Sequence, residues 1–554
     1  MRVASGEWGS HGRAATLEGS LSGPKSAGLP LRPDSQAGPP TSLLGGMRAA
    51  SELIVLANRE PYRHEARDGH VVALRSASGV VNAVEPLLIE HSGVWVAEGV
   101  GDPDRQSAID RNGLQVPPEA PRYRLRRVWL SELEQHGYYA GFSNGALWPL
   151  CHRTSVEPVF YPTQFHAYEL VNRRFADAVA EEATGAAPTV LVQDYHFALA
   201  PLFIRRQLPQ SRIATFWHIP WPRPETFALC PLSRTLLEGL LGSTSIGLQT
   251  PVDRDQFLAT VEQLLHAEVD HDDDTVTYKG RRVAVGVFPA SIDWPGHWAT
   301  ESLPVSTCRT GVREQLGLDR HALLGVGVDR LDYTKGIEQK FLAVEWLLER
   351  RPDLVGRFFF VQLAEPSRES LPPYRHTRAR VLETAVRINR RFSRDDNGPI
   401  RLLEAHHAPA TVARFFRAAD FCYVGSLHDG MNLVSKEFVC ARDDERGVLI
   451  LSSFAGASHE LADALIINPY DLDAGAAAIA SALTMAPQEQ RERMRRLRCV
   501  VARSTAQTWA ARILEHVSEP VERTTVDVVP ASLSTNLTEL LTSRQLAASD
   551  VSAS

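Results

Sequence analysis

A chain of 554 residues, 44% apolar and 23% charged, is too long for one hydrophobic core and has the make-up of a water-facing α/β protein with two core domains. Its formal net charge of −7 excludes general nucleic-acid binding, because no broad positive field exists to gather phosphate backbones. No apolar run approaches the ~20 residues of a membrane-crossing helix, and the scattered cysteines (Cys151, Cys230, Cys308, Cys422, Cys440, Cys499) form no C-x-x-C pair, which favours reduced thiols in a cytoplasmic protein over disulfides or a zinc site.

Residues 1–50, rich in Gly, Ser, Ala and Pro and without a sustained apolar period, read as a disordered tail. Met47 is a candidate true start; a transit peptide is the rival reading of this stretch. Short apolar runs then alternate with helical patterns: Leu53–Ala57, Thr189–Val192, Ile213–Phe216, Ser245–Leu248, Leu323–Val328, Phe358–Leu363, Phe421–Val424 and Val448–Leu451. That alternation predicts parallel sheets covered by helices. The irregular stretch Pro289–Ser306, with Pro295-Gly296, reads as a linker between two Rossmann-like halves, 51–290 and 291–490. A further segment, 491–520, precedes a Ser/Thr-rich tail over 521–554 that is again expected to be disordered.

Open α/β sheets present functional groups at the carboxyl ends of their strands. Asn58-Arg59, Asp194-Tyr195-His196, His218 and Asp329-Arg330 all fall there, and four such positions favour one shared cleft. The octapeptide D-R-L-D-Y-T-K-G at 329–336 is the most informative of these, because the chain has only five lysines (Lys25, Lys279, Lys335, Lys340, Lys436) among 59 basic residues. Placing Arg330 and Lys335 on one strand-leaving turn predicts an anionic ligand. In H-D-G-M-N-L-V-S-K-E, 428–437, Gly430 would let backbone amides approach a phosphate or sugar at a helix start. Lys436 and Glu437 there read equally well as a solvated helical face. S-S-F-A-G-A-S-H-E at 452–460 repeats the strand, glycine turn and helix arrangement.

Other patterns carry less. Asp272-Asp273-Asp274 matches a phosphatase-like D-x-D string but follows no buried strand, so an exposed acidic loop is expected, and the same objection removes it as a metal site. P-loop, dinucleotide and zincin motifs are absent from the sequence.

Read together, N-R-E-P at 58–61, F-S-N-G-A-L-W-P at 142–149, Q-D-Y-H at 193–196, F-W-H-I-P-W-P at 216–222, D-R-L-D-Y-T-K-G at 329–336, P-S-R at 366–368 and D-G-M-N-L-V-S-K-E at 429–437 resemble the trehalose-6-phosphate synthase family, in the family's order from about Leu53 to Leu514. The resemblance implies a GT-B glycosyltransferase in which an acceptor half, 51–290, and a nucleotide-sugar half, 291–490, face a deep cleft. A C-terminal helix within 491–520 would cross back to the first half. The implied reaction moves glucose from a nucleoside-diphosphate glucose, UDP-glucose by family default, to glucose 6-phosphate with retention, using no cofactor and no required metal. No protein nucleophile is implied.

By the same likeness Arg330, Lys335, His218 and Asp194 are the catalytic set. Gly79, Arg330, Lys335, Asp429, Gly430, Met431, Asn432, Leu433, Val434 and Glu437 bind the donor. Arg59, Tyr139, Trp148, Asp194 and Arg368 bind the acceptor, guanidinium forks suiting phosphate oxygens. Implied partners are the two substrates, further copies of the chain in a homo-oligomer, and a separate phosphatase acting on the product; neither nucleic acid nor membrane is implied. Three positions depart from the pattern: Ser78 replaces the first glycine of the loop at Gly79, Glu98 stands at a tryptophan position, and His428 replaces an arginine. The alternatives are a glucosylglycerol-phosphate synthase using glycerol 3-phosphate and a non-catalytic sugar-phosphate-binding regulator.

Overall fold

A computed structural model describes residues 52–67, 70–76, 79–99, 114–296, 298, 303–394 and 397–518. The two expected disordered tails and Ser78 lie outside these residues.

Among the described residues the largest sheet has ten strands. From edge to edge these are Glu268–Asp270, Thr275–Tyr278, Arg281–Val287, Ser245–Leu248, Arg212–Phe216, Thr189–Gln193, Leu53–Leu56, Val94–Glu98, Tyr123–Val128 and Leu114–Val116. The seven inner strands run parallel, and antiparallel pieces extend both edges. A second sheet, wholly parallel, has the order Ile400–Glu404, Phe358–Glu365, Leu323–Arg330, Phe421–Val424, Val448–Ser452 and Leu465–Ile467. All eight expected apolar runs are strands in these sheets. Their side chains are buried on both faces, as in Leu53–Leu56, where none exceeds 2% exposure. Strand Leu323–Arg330 runs two residues past its apolar stretch, so Asp329 and Arg330 belong to its carboxyl end.

The stretch between the sheets is clamped from both sides. Gln249 Oε1 accepts from Ala290 N at 2.9 Å, Lys436 Nζ donates to Ala290 O at 2.8 Å, and the Cys440 thiol donates to Pro295 O at 3.0 Å. This corrects one of the two readings of Lys436. It is not on a solvated face but 1% exposed, paired with Glu460 at 2.6 Å, because the helix that carries it is pressed against the linker. The acidic run Asp272–Asp274 is a hairpin turn, with Asp273 and Asp274 paired to Arg282 and Arg254.

Helix Ala506–Ser518 packs on helix Gly79–His91 and on the first sheet. Trp509 Nε1 donates to Phe288 O at 3.1 Å, and the Trp509 ring stands edge-on to Phe216 with centroids 4.9 Å apart. All six cysteines are free thiols, and all but Cys499 are buried. No described helix is long and apolar enough to cross a membrane.

Candidate active site

The turn leaving strand Leu323–Arg330 is shaped by Asp332. Its Oδ1 accepts from Thr334 N and Thr334 Oγ1, each at 3.0 Å, and so caps the single turn Tyr333–Lys335. Gly336 follows at φ 61°, where a Cβ would lie 2.1 Å from the Gly425 carbonyl oxygen, so glycine alone lets the chain clear the neighbouring strand end before helix Ile337–Arg350. Beneath the turn, Asp329 pairs with Lys340 and accepts from Gln362 Nε2 at 3.1 Å; Lys340 and Gln362 are wholly buried.

Lys335 and Asp429 meet across the second sheet's strand ends, Nζ to Oδ2, at 2.5 Å. The same carboxylate oxygen accepts from Ser426 Oγ and Asn432 Nδ2, both at 3.1 Å. Burial works against ionisation of Asp429, but the Lys335 ammonium outweighs it and brings the carboxyl down to about 2. Asn432 adopts φ 74° and caps helix Leu433–Ala441 through Ser435 N, while Met431 O accepts from Ala457 N at 2.9 Å. Gly430 lies against the first sheet's side of the cleft, since a Cβ there would fall 2.1 Å from the His218 carbonyl oxygen. Glu437 sits one turn into the helix, its carboxyl pushed up to about 7 by burial, and among the described residues it forms no ion pair. Gly79 opens helix Gly79–His91.

Just past strand Phe358–Glu365 of the second sheet, Arg368 has φ 48° and reaches across to the other wall. Its Nη1 donates to Tyr374 Oη at 2.6 Å, its Nη2 reaches Tyr195 Oη at 3.4 Å, and its guanidinium lies 4.3 Å above the Trp148 ring. Arg330 stacks on the same indole at 5.6 Å. Trp148 thereby acts as a platform for two cations. Burial alone would raise the Tyr139 phenol, yet the charges of Arg368, Arg59 and Arg330 hold it below its usual value. Tyr139 stacks on His196, centroids 5.7 Å apart.

Asp194 has φ 76° and ψ 170°, a region that side-chain-bearing residues rarely enter. Its Oδ1 accepts from Tyr195 N at 2.9 Å and His218 N at 3.1 Å, so two strand ends share one carboxylate. Burial keeps the His218 imidazole neutral, down to about 3, and its Nε2 pairs with Gln193 Oε1 at 2.8 Å; this acceptor assigns the proton to Nε2. Backbone strain at Asp194, Arg368 and Asn432 gathers at one cleft. Five buried polar atoms there, Trp148 Nε1, Gln193 Nε2, His196 Nε2, Asp332 Oδ2 and Arg368 Nε, have no hydrogen-bond partner among the described residues. Buried polar groups are satisfied as a rule, so this cluster marks a polar ligand site.

The structure thus links Arg59, Tyr139, Trp148, Asp194, His218, Arg330, Lys335, Arg368, Asp429 and Gly430 in one cleft. Among the departures from the family pattern, His428 donates from Nδ1 to His152 O at 2.7 Å, joining the two walls. Glu98 is buried, accepts from Gln135 Nε2 at 2.9 Å, and has a carboxyl raised to about 7 by that burial. Sequence reasoning placed Tyr195 at a strand end without a role, and assigned none to Gln193, Asp332, Tyr374 and Ser426. Asp332 lay inside the octapeptide and could have been read as its cap; Tyr374 follows Pro372-Pro373 with no local signal of its role.

Burial raises Asp194 from 3.8 to about 7, so the folded chain keeps a proton that the unfolded chain releases, and stability falls as pH rises from about 4 to about 7, then levels. Asp194→Asn is therefore expected to be more stable than the wild type at pH 8, by on the order of 3 kcal/mol, with the gap narrowing at pH 5. Thermal unfolding at the two pH values checks this; equal midpoints at pH 8 would contradict it.

Two Rossmann-like sheets whose strand ends meet at a cationic cleft define a glycosyltransferase of the GT-B fold. The chain belongs to glycosyltransferase family 20, whose model matches residues 51–519. A trehalose-6-phosphate synthase of Mycolicibacterium vanbaalenii is 37% identical over 85% of this chain and 97% of its own length. A solved structure from E. coli bound with UDP-2-fluoro glucose matches at 30% identity and TM-score 0.76, covering 85% of this chain and 100% of that one. An α,α-trehalose-phosphate synthase (UDP-forming) from Burkholderia xenovorans in complex with glucose-6-phosphate matches at 28% identity and TM-score 0.74, over 84% and 99% of the two chains.

Proposed function

We propose that this protein transfers glucose from UDP-glucose to glucose 6-phosphate, giving α,α-trehalose 6-phosphate with retention at the anomeric carbon. The observation that carries the reading is the gathering of Arg59, Arg330, Lys335 and Arg368 at the meeting strand ends of two sheets, in a chain whose net charge is −7. The relatives' activity and bound ligands support it. As the glycosidic bond to the nucleotide breaks, negative charge grows on the diphosphate, and a fixed ammonium and guanidinium stabilise that state more than the ground state. In this reading Arg330 and Lys335 take the diphosphate, and Asp429 with the backbone of 430–434 takes the donor glucose. Gly79 lies over the diphosphate and Glu437 takes the ribose. Arg59, Tyr139 and Arg368 take the acceptor phosphate, while Trp148 and Asp194 orient the acceptor sugar. His218, neutral and donating from Nε2, lies against the transferred glucose.

Incubating the protein with UDP-, ADP- and GDP-glucose against glucose 6-phosphate and glycerol 3-phosphate, with product identification, tests the proposal. Trehalose 6-phosphate is expected from UDP-glucose; transfer to glycerol 3-phosphate alone, or to neither, would refute it. Arg368→Ala is expected to raise the KM for glucose 6-phosphate about tenfold or more, because it removes a charged hydrogen-bond donor from a buried phosphate site. An unchanged KM would exclude Arg368 from that site. The same reading places the enzyme in the cytoplasm as a homo-oligomer, its product passing to a separate phosphatase; the five buried free thiols accord with that compartment.

A further inference from the structure

Asp332 belongs to neither substrate set, yet it lies between them. Its Oδ1 is committed to Thr334, so the carboxylate cannot turn. That leaves Oδ2, wholly buried and without a hydrogen-bond donor among the described residues, 3.7 Å from Arg330 Nη2 and 3.6 Å from Arg368 Nη1. Both separations exceed the ~3.2 Å limit of a good N–H···O bond, so the oxygen is shared and committed to neither arginine. The two guanidiniums arrive from different strand ends and stack on one indole; without an anion between them they would repel in a dry setting. Asp332 stays ionised despite burial because Arg330 and Arg368 both hold its proton affinity down.

We propose that Asp332 is a shared counter-ion that couples the two phosphate subsites, so that a diphosphate engaging Arg330 releases Oδ2 to fix Arg368 for the acceptor phosphate. Asp332 is on this account a positioning residue. The inference rests on the proposed function for the identity of the two anions, but its test needs no turnover. Once a diphosphate draws Arg330 away, the single carboxylate oxygen closes on Arg368, whose remaining N–H groups, including the unpartnered Nε, are then ordered to receive a phosphate. Order imposed in advance raises affinity for the second ligand.

The test is calorimetric titration of glucose 6-phosphate into the full chain with and without saturating UDP. In the wild type, UDP is expected to tighten glucose 6-phosphate binding by ~10-fold, within the usual range of coupling between sites. Asp332→Asn keeps the Oδ1 cap and loses the charge, and the enhancement is expected to fall below about twofold. Should that variant not fold, Thr334→Val removes the hydroxyl bond to Oδ1 and leaves the backbone N–H and the charge, so the carboxylate is held less firmly and the enhancement is expected to fall by about half. Absence of enhancement in the wild type, or its full retention in the folded variants, overturns the proposal; a purely structural Asp332 would alter the separate affinities and leave their ratio alone. If the wild type shows the linkage but makes no trehalose 6-phosphate, the proposed function fails and the coupling stands.

Discussion

Lys335→Ala is expected to lower kcat by ~10²–10³, the usual consequence of removing one preorganised charge from a developing anion. The Lys335 ammonium is fixed by Asp429 at 2.5 Å rather than free to swing, so no reorganisation is needed when the leaving diphosphate gains charge. The acceptor KM should change far less, since Arg368 and Arg59 remain. The substitution also leaves Asp429 buried with only Ser426 and Asn432 as donors. In the wild type this carboxyl is held at about 2 against an ordinary 3.8, and that contribution to stability is full above about pH 4 and is lost as pH falls towards 2. The variant should therefore be less stable at neutral pH, with the difference closing in acid. Steady-state kinetics with UDP-glucose decides the first point, and turnover within about threefold of wild type would remove Lys335 from the chemistry.

Lys340→Met should have the largest effect on stability. Its ammonium is wholly buried against Asp329 directly under the turn Tyr333–Lys335, and truncating one partner of a buried pair strands the other at a cost of about 3–5 kcal/mol. The pair as a whole contributes much less, because two desolvation penalties nearly cancel its attraction. Lys340→Met with Asp329→Asn is accordingly expected to recover most of the lost thermal midpoint. A single variant melting within about a degree of wild type would show that the Asp329 carboxylate finds another partner.

The parallel core was legible because its strands are apolar on both faces, as in Leu-Ile-Val-Leu at 53–56 and Phe-Cys-Tyr-Val at 421–424. The apolar inner strand Val94–Glu98 went unread, and so did strands that alternate charge with apolar residues. Tyr123–Val128 carries Arg124, Arg126 and Arg127, and Arg127 is buried against Glu60 at 2.7 Å, a pairing between distant segments that no local pattern announces. The antiparallel hairpin at 268–287 escaped for the same reason. At the site, residues on strand ends were legible from position, and those that hold other residues were not. Tyr374, on the helix Pro372–Phe392, orients Arg368 through a contact that exists only after folding. Asp332 shows the limit most directly: its neighbours in sequence suggest a turn, whereas its charge balances two arginines 38 positions apart.

Trp509, near the end of the described chain, touches Phe216 and has its ring centroid 6.0 Å from that of His218. A ribosome still synthesising the second half thus carries a first half whose sheet lacks its covering helix and whose histidine has no indole behind it. Such a nascent chain exposes Phe216 and Phe288 until its last turns emerge, which makes that interval the one in which chaperones have an apolar surface to bind. The packing behind His218 is complete only when synthesis has reached that helix.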